Sequence, residues 1–480
     1  MDWFGWLGTG DYGFAREVLQ RGVAAVFVIA FLSAADQFPA LLGEHGLMPV
    51  RRFLQLSYAR RQPTIFRWRY SDRMLRAIAV GGAVVGGALV AGLPQLTQPW
   101  LTTVLFLLMW GAYLSIVNVG QTFYGFGWES LLCEAGFTVA WLGSSTTATP
   151  VTVLFLIRWL VFRLEFGAGM IKLRGGREWK DLTALYYHHE TQPMPGPLSR
   201  QAHLLPKWVH RGEVVGNHFA QLVCPFFLFA PQPIASVAAA VMIVTQLWLI
   251  VTGNFAWLNW ISVVLLFAGV SDGAVHAVVP VWPAATGPGT DAGMPAWFAV
   301  PVLLASALLV YLSWWPLRNL FSSRQLMNAS FNRWHLVNAY GAFGTVTRTR
   351  DEVVVEGTED VTGAGGWREY EFHGKPGDPA RVPRWFAPYH LRLDWLMWFL
   401  ALGAHDRWFE VLLVRLLHAD RATLRLLRVD PFAGRRPAFV RARVFRYRFA
   451  TRAEHRETGL VWIREDRGLL VPPMTYRAGG

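Results

Sequence analysis

The 480-residue chain is poor in cysteine, in lysine and in charge of either sign. Charged residues make up 16% of it, where a soluble domain carries about 25%. Its two cysteines, Cys133 and Cys224, both lie inside apolar segments. The sequence therefore excludes a disulfide framework, Cys-x-x-Cys redox chemistry and a cysteine-based zinc site. Four of the 45 basic residues are lysines, and this arginine-rich, alanine-rich composition favours a bacterial source.

The net charge of +13 favours a membrane partner over nucleic acid. The arginines cluster beside apolar stretches, where anionic lipid headgroups attract each basic side chain by about 1 kcal/mol. No nucleic-acid motif, P-loop, Gly-x-Gly-x-x-Gly or Gly-x-Ser-x-Gly occurs. Asp2, Asp11 and Glu17 interrupt the basic start that a signal peptide needs, so we expect the first apolar segment to remain in the protein. Lipid is thus an expected partner, and nucleic acid is not.

The apolar segments predict a polytopic α-helical membrane bundle of seven to nine spans in residues 1–318. A helix needs about 20 mostly apolar residues to cross the hydrocarbon core. Gly82 and Gly86 form a Gly-x-x-x-Gly spacing, which lets helix backbones approach closely in lipid. Leu131–Gly143 is short enough to be a re-entrant segment instead. The candidates are Gly22–Leu42, Ala77–Leu93, Trp100–Gly120, Leu131–Gly143, Val151–Leu173, Val214–Phe229, Ile234–Thr252, Phe255–Val270 and Pro295–Leu317.

Residues 319–480 predict a C-terminal α+β globular domain, either soluble or docked on the membrane. Alternating, β-branched runs predict strands in VNAYGAFGTVTRTRDEVVVEGTED, WREYEF, FVRARVFRYRFA and LVWIRED. Apolar residues three and four apart predict helices in YHLRLDWLMWFLALG and WFEVLLVRLLHADRATLRLLR. The region is long enough to bury a core of its own.

Two basic loops bear on orientation. Residues 51–76 contain eight arginines, and residues 173–213 are also basic. The positive-inside rule places both loops in the cytoplasm and, with nine spans, the C-terminal domain with them. Long domains can cross the membrane regardless of charge, so the rule is weaker for the residues after Asn319.

The fifth candidate span carries the charges most relevant to chemistry. Arg158, Glu165 and Lys172 are seven residues apart, so they lie within about 40° of one helix face. Charges inside a membrane normally face a bundle interior or a wet cavity, so they are candidate catalytic residues, with Lys172 as base or substrate contact. The alternative is a structural ion pair, with Lys172 reaching the interface. Glu129 is a weaker candidate facing Lys172, or a helix-start residue.

Two further clusters of polar residues have simpler explanations than metal binding or catalysis. His188, His189 and Glu190 are ligand types, but adjacent residues of an extended loop point apart, so the sequence predicts no metal site. In the C-terminal region, the segment from Tyr389 to Trp398 is a candidate client or docking surface. A hydrogen-bond network explains its polar members better than catalysis, because no nucleophile accompanies them. The surface comprises Tyr389, His390, Arg392, Asp394, Trp395 and Trp398.

Long runs of the sequence resemble the lipase maturation factor family. They include YLSIVNVGQTFYGFGWESLLCEAGF, RWLVFRLEFGAGMIKLRGGREWKDLTALYYHHETQPMPGP and YEFHGKPGDPARVPRWFAPYHLRLDWLMWF, and the match extends over about residues 15–475. The resemblance implies a multi-span protein that assists the folding and assembly of secreted lipases, and one that is not an enzyme. Vertebrate members lie in the endoplasmic reticulum membrane. The resemblance therefore places the C-terminal domain on the lumenal side, against the charge rule.

A shorter likeness supplies the alternative function. FGAGMIKLRGGREW resembles the membrane core of vitamin K-dependent carboxylases, in which a lysine in this context serves as base. The corresponding residue is Lys172. We therefore expect a maturation factor for secreted or envelope proteins such as lipases, without a cofactor, in a bacterial plasma membrane. The alternative is a membrane enzyme that acts on a quinone or lipid in a closed pocket at Lys172.

Overall fold

The computed structural model describes residues 4–280, 294–404 and 406–476. Its first two thirds are mainly helical. The helices there are α1 (Gly13–Leu41), α2 (Val50–Phe53), α3 (Asp72–Val90), α4 (Pro99–Val117), α5 (Gly127–Val139), α6 (Val151–Arg174), α7 (Arg177–Lys180), α8 (Leu185–Thr191), α9 (Ser199–His203), α10 (Lys207–Leu222), α11 (Cys224–Phe227), α12 (Ile234–Thr252), α13 (Leu258–Leu266), α14 (Asp272–Val278), α15 (Ala296–Leu312) and α16 (Trp314–Phe321). A two-stranded pair, β1 (Gly8–Thr9) and β2 (Thr149–Pro150), joins the start of the chain to the start of α6.

The last third of the chain mixes helices and strands. Its helices are α17 (Arg392–Ala401), α18 (Arg407–Leu417), α19 (Arg421–Leu424) and α20 (Arg452–Thr458). Its strands are β3 (Arg350–Thr358), β4 (Arg368–Tyr370), β5 (Phe439–Phe449) and β6 (Trp462–Thr475).

Within the described residues, five helices are long and apolar enough to cross a membrane, and a sixth span arises if one bent pair is counted. The five are α1, α3, α4, α12 and the continuous stretch Ala296–Phe321 formed by α15 and α16. The bent pair joins Leu258–Gly269 to Asp272–Val278 at 105°. The prediction of membrane-spanning helices is confirmed, and the count of seven to nine spans is not.

Four of the predicted segments do not form a single long apolar helix, for two physical reasons. The helices in three of them have 13, 16 and 9 residues (α5, α10 and α13), which is short for a hydrocarbon core of about 30 Å. The fourth, α6, is 24 residues long but carries Arg158, Arg163 and Glu165 within its apolar stretch.

Helices α1 and α3 pack closely through the predicted small residues. A Cβ atom at Gly86 would lie 2.7 Å from a methyl carbon of Val28, and one at Gly82 would overlap the Phe31 ring. Real Cβ atoms do not approach other atoms so closely, so only glycine permits this contact. The Gly-x-x-x-Gly spacing therefore brings the two helix backbones together, as predicted.

The C-terminal strands form one antiparallel sheet in the order β4-β3-β5-β6. Val355 of β3 pairs with Ala442 of β5, and both are fully buried. The long strand β6 pairs with β5 alone and forms one edge of the sheet. Helix α17 packs against β3, so the sheet holds this helix against the membrane helices. The predicted α+β character of the region is confirmed.

Candidate functional site

The C-terminal region meets the membrane helices at a buried ion pair. Arg392, at the start of α17, donates from Nη1 to Oε1 of Glu129 on α5 at 2.6 Å, and neither side chain is exposed. The same Nη1 donates to the backbone oxygen of Phe123 at 2.9 Å, and the guanidinium lies 3.4 Å from the ring centre of Tyr124. Tyr113 donates its hydroxyl hydrogen to Glu129. Both charges are thus enclosed by groups that stabilise them.

His390 completes this junction as a neutral imidazole. Its Nδ1 lies 3.3 Å from Nε1 of Trp128 and 3.3 Å from Oε1 of Glu129. Burial, and then the neighbouring Arg392 charge, lower the pKa of His390 to about 4. The histidine therefore packs as a neutral ring and leaves the charge of Glu129 to Arg392.

The rest of the predicted client or docking segment divides between buried and partly exposed side chains. Asp394 is buried and accepts a hydrogen bond from the Gly374 backbone at 2.6 Å, which is a contact within the C-terminal region. Tyr389 is half-buried and donates to Oδ2 of Asp36 on α1 at 2.7 Å. Trp395 is buried, whereas Trp398 is partly exposed and donates to the Thr191 backbone at 3.2 Å.

A cavity of about 400 Å³ lies between α17 and the charged helix α6. Lys172 and Glu165 line it from α6, and Trp395, Trp398 and Phe399 line it from α17. The cavity therefore brings together two groups of residues that the sequence nominated separately. Its other polar lining residues include His188, His189, Glu213, Asn217, Gln221, Gln246 and Asn259.

Lys172 is held by amide oxygens. Its Nζ donates to Oδ1 of Asn217 at 3.0 Å and to Oε1 of Gln221 at 2.6 Å, and it lies 4.8 Å from the Trp179 ring centre. Gln221 also donates to Oε2 of Glu165 at 3.2 Å, so this amide joins the lysine to the carboxylate. Glu165 receives a second hydrogen bond from Gln246 at 2.6 Å. This arrangement orients the ammonium within the cavity wall.

The other two candidates for chemistry lie elsewhere. Arg158 donates to the Ala268 backbone at 2.8 Å and lies over the Tyr12 ring, away from the cavity lining. Glu129 was expected to face Lys172, but its partner is Arg392. Of the three charged residues on α6, Glu165 and Lys172 share the cavity and Arg158 does not, because neighbouring helices meet each turn of α6 with different groups.

Sequence reasoning missed a second buried network on α6. Arg163 forms an ion pair with Glu134 of α5 and donates to the Asn338 backbone at 2.6 Å. Glu134 also accepts from the Asn338 backbone at 2.8 Å and from the Tyr340 hydroxyl at 2.7 Å. The residues around Tyr340 were predicted to be a strand, but they lie outside the named strands. They pack instead against α5 and α6, where these polar contacts hold them.

The predicted local structure around His188 and His189 was also wrong. His188 and His189 lie on the short helix α8 rather than on an extended loop. Burial, and then the Lys172 charge, lower the pKa of His188 to about 4, and burial holds the pKa of His189 well below its ordinary value. Both rings are therefore neutral at pH 7. His210 and Glu213 of α10 lie beside His189, and their His-x-x-Glu spacing was the sequence signal that was passed over.

Apolar spanning helices, buried charge pairs and an attached α+β region define an integral membrane protein. A family model described as the lipase maturation factor transmembrane domain matches residues 14–277, and one for the lipase maturation factor C-terminal domain matches residues 336–472. The chain belongs to the lipase maturation factor family.

Individual relatives cover nearly the whole chain. Lipase maturation factor 1 of Bos taurus is 38% identical over 98% of this chain and 90% of its own length. Lipase maturation factor 1 of Homo sapiens is 37% identical over 98% and 89%, and lipase maturation factor 2 of Homo sapiens is 30% identical over 94% and 81%. No solved structure matches the chain.

Proposed function

We propose that the chain is a membrane-embedded maturation factor whose clients are secreted lipases. The observation that carries this proposal is the length of the match, which runs through both parts of the relatives named for lipase maturation. A protein that shared only a helical membrane core would not also share the C-terminal region. The proposal also includes other secreted or envelope proteins as clients.

We propose a division of labour between residues 1–318 and 319–480. The helices anchor the protein, and the C-terminal region engages the client. In support, the two family models end and begin on either side of this boundary. His390, Arg392 and Trp395 are buried, so their part is to dock α17 on the membrane helices rather than to touch a client. The buried Asp394 binds the Gly374 backbone within the C-terminal region instead. Exposed apolar side chains elsewhere in residues 319–480 remain available to contact the client.

The enzyme alternative is not favoured. The cavity beside Lys172 meets one of its requirements, a space next to the lysine. The whole-chain relatives, however, are maturation factors, whereas the carboxylase likeness covers one short segment. The cavity equally suits a bound lipid that supports the fold.

The membrane that holds the protein is a separate proposal. We propose a bacterial source and the bacterial plasma membrane on the arginine-rich, lysine-poor composition alone. The named relatives are vertebrate and give that source no support. An expression host with an endoplasmic reticulum therefore tests the activity independently of the native location.

Complementation provides the test. The chain is expressed in vertebrate cells that lack lipase maturation factor 1, and lipase activity is measured in the medium. We expect rescue above an empty vector, at matched amounts of membrane-inserted protein, with human lipase maturation factor 1 as the positive control. A correctly inserted chain that yields no secreted active lipase contradicts the proposal. Crosslinking in the same cells, followed by mass spectrometry, shows whether the chain captures a lipase or a small molecule.

A further inference from the structure

Three side chains beside the cavity form a cluster that the proposed function does not use. His189 lies on α8, and His210 and Glu213 lie three residues apart on one face of α10. One ligand atom of each residue lies within 4.8 Å of the others. Both histidines are 2% exposed. The fold thus brings two buried imidazoles and a partly buried carboxylate together.

The hydrogen bonds of His210 leave one nitrogen directed at the carboxylate. Its Nε2 lies 3.2 Å from the backbone oxygen of His203, and a carbonyl oxygen only accepts, so Nε2 carries the hydrogen. Nδ1 lies 3.0 Å from Oε2 of Glu213. In the neutral imidazole both of these atoms present lone pairs, so a proton or a metal ion must lie between them. A backbone carbonyl that fixes the outer nitrogen of a histidine is also the usual support of a metal ligand.

His189 distinguishes between the proton and the metal ion. Neither of its ring nitrogens has a hydrogen-bond partner among residues 4–280, 294–404 and 406–476, although both are buried. An unsatisfied buried polar group is costly. A proton on His210 would satisfy Glu213 and leave both nitrogens of His189 without a partner, whereas a metal ion bound by all three residues also gives one of those nitrogens a partner.

We propose that His189, His210 and Glu213 bind a divalent transition metal ion of the zinc class. Two imidazoles and one carboxylate suit zinc, and they are poor ligands for calcium or magnesium, which prefer oxygen alone. Ligand atoms around tetrahedral zinc lie about 3.3 Å apart, so the three side chains draw together on the ion. His189 and Glu213 also line the cavity that Lys172 lines, so the bound ion would lie beside that cavity.

Metal binding to the purified full-length protein tests the proposal. The chain carries an affinity tag without histidine, is stripped with a chelator in detergent, and is titrated with zinc and with cobalt. We expect one equivalent of zinc, and cobalt absorption in the visible range with the intensity of a tetrahedral site. Loss of an outer-shell partner alone costs about 10–100-fold in metal affinity, so removal of a ligand should cost about 100-fold or more.

Three variants separate this site from adventitious binding. His189→Ala and Glu213→Gln should lose the high-affinity equivalent and the cobalt spectrum, and zinc should no longer raise their unfolding temperature. His45→Ala removes an exposed histidine and should behave like the unchanged protein. Glu213→Gln keeps the size of the side chain, so its metal-free unfolding temperature reports whether it folds. Equal zinc binding by the unchanged protein and a folded Glu213→Gln variant overturns the proposal, as does an unchanged protein that binds no zinc.

Discussion

Arg392 and Glu129 are 263 residues apart in the chain, yet Nη1 of the arginine lies 2.6 Å from Oε1 of the glutamate. Neither side chain is exposed, and the pair is a charged link between α17 and helix α5 of the N-terminal part. A buried pair of this kind stabilises little compared with apolar packing, but the loss of one partner is severe. The junction is therefore a place where single substitutions should separate the two parts of the protein.

Breaking this pair should loosen the C-terminal region. Arg392→Met leaves Glu129 buried without a positive partner, which costs about 3–5 kcal/mol. We expect a lower unfolding temperature and faster release of the C-terminal region in limited proteolysis in detergent. Arg467→Gln is the matched control, since Arg467 and Glu465 form an exposed pair. The double variant Glu129→Gln, Arg392→Met should recover part of the loss, and cleavage at the unchanged rate in Arg392→Met would show that the pair does not hold the junction.

Lys172→Met should impair the protein without removing it from the membrane. The substitution leaves the amide oxygens of Asn217 and Gln221 without their donor inside the cavity wall. We expect reduced secretion of active lipase per inserted molecule in the complementation assay. Lys180→Met changes an exposed lysine in the same segment and should have no effect. Normal activity of Lys172→Met would eliminate the enzyme alternative.

Removal of the residues from Arg348 onward should abolish maturation while membrane insertion continues. Every candidate span in the described residues ends at or before Phe321, so the cut leaves them intact. The measurements are resistance to carbonate extraction and secreted lipase activity. A truncated chain that still matures lipase would place the client-binding surface in the first 347 residues.

Asp394 should make stability depend on pH. Burial raises the pKa of Asp394 to about 6, from an ordinary value of 3.8. The folded state therefore binds more protons than the unfolded state between these values, so the contribution of Asp394 to stability is greatest below pH 4 and is lost as the pH rises through 6. We expect the unfolding temperature to fall over that interval more steeply in the unchanged protein than in Asp394→Asn. Identical slopes would show that Asp394 ionises alike in both states.

Asp394→Ala tests the same side chain in another way. The backbone N–H of Gly374 loses its acceptor, which costs about 1–3 kcal/mol for a buried group. Since the partner lies in the C-terminal region, faster proteolysis should begin within that region. An unchanged cleavage rate would contradict the structural role given to this hydrogen bond.

Cysteine labelling should find residues 51–76, residues 173–213 and the C-terminal region on one side of the membrane. Arg350 donates to backbone oxygens of the second loop, at 2.9 Å for Glu190 and 3.0 Å for Pro193, and Arg333 donates to Arg61 at 3.1 Å. These contacts bring all three segments together.

Exposed positions suit the labelling: Arg60, Gln201 and Ala364. Ala364 is preferred to its neighbour Gly363, whose φ of +68° disfavours cysteine. Cys133 and Cys224 are buried, so background labelling is low. Reaction of the three positions from different faces would overturn the shared-side arrangement.

Local patterns predicted the C-terminal elements well. The alternating run FVRARVFRYRFA became β5, and the three- and four-residue spacing of WFEVLLVRLL became α18, because each pattern matches the period of one element. The residues around Tyr340 also alternate, but their burial comes from membrane helices, and the positive φ angles of Val337 and Phe343 do not suit a strand.

The residue pairs at the site could not be predicted from the sequence. Glu134 and Arg163 are 29 residues apart, and His189 is 21 positions before His210, so no spacing rule links them. Periodicity tells which residues share a face of one helix. It does not tell which neighbouring helix will meet that face, and that decided the partners of Arg158, Glu129 and Lys172 alike.

The outer strand of the C-terminal sheet limits how the protein can hold a partly folded chain. Strand β6 lies at the edge, and Pro472 and Pro473 lack the backbone hydrogen that an added strand would need. The charged run from Arg464 to Arg467 further disfavours a new strand along the same edge. This edge therefore resists becoming a template for β-structure in the protein's own clients, and recognition along it should depend on side chains rather than on strand addition.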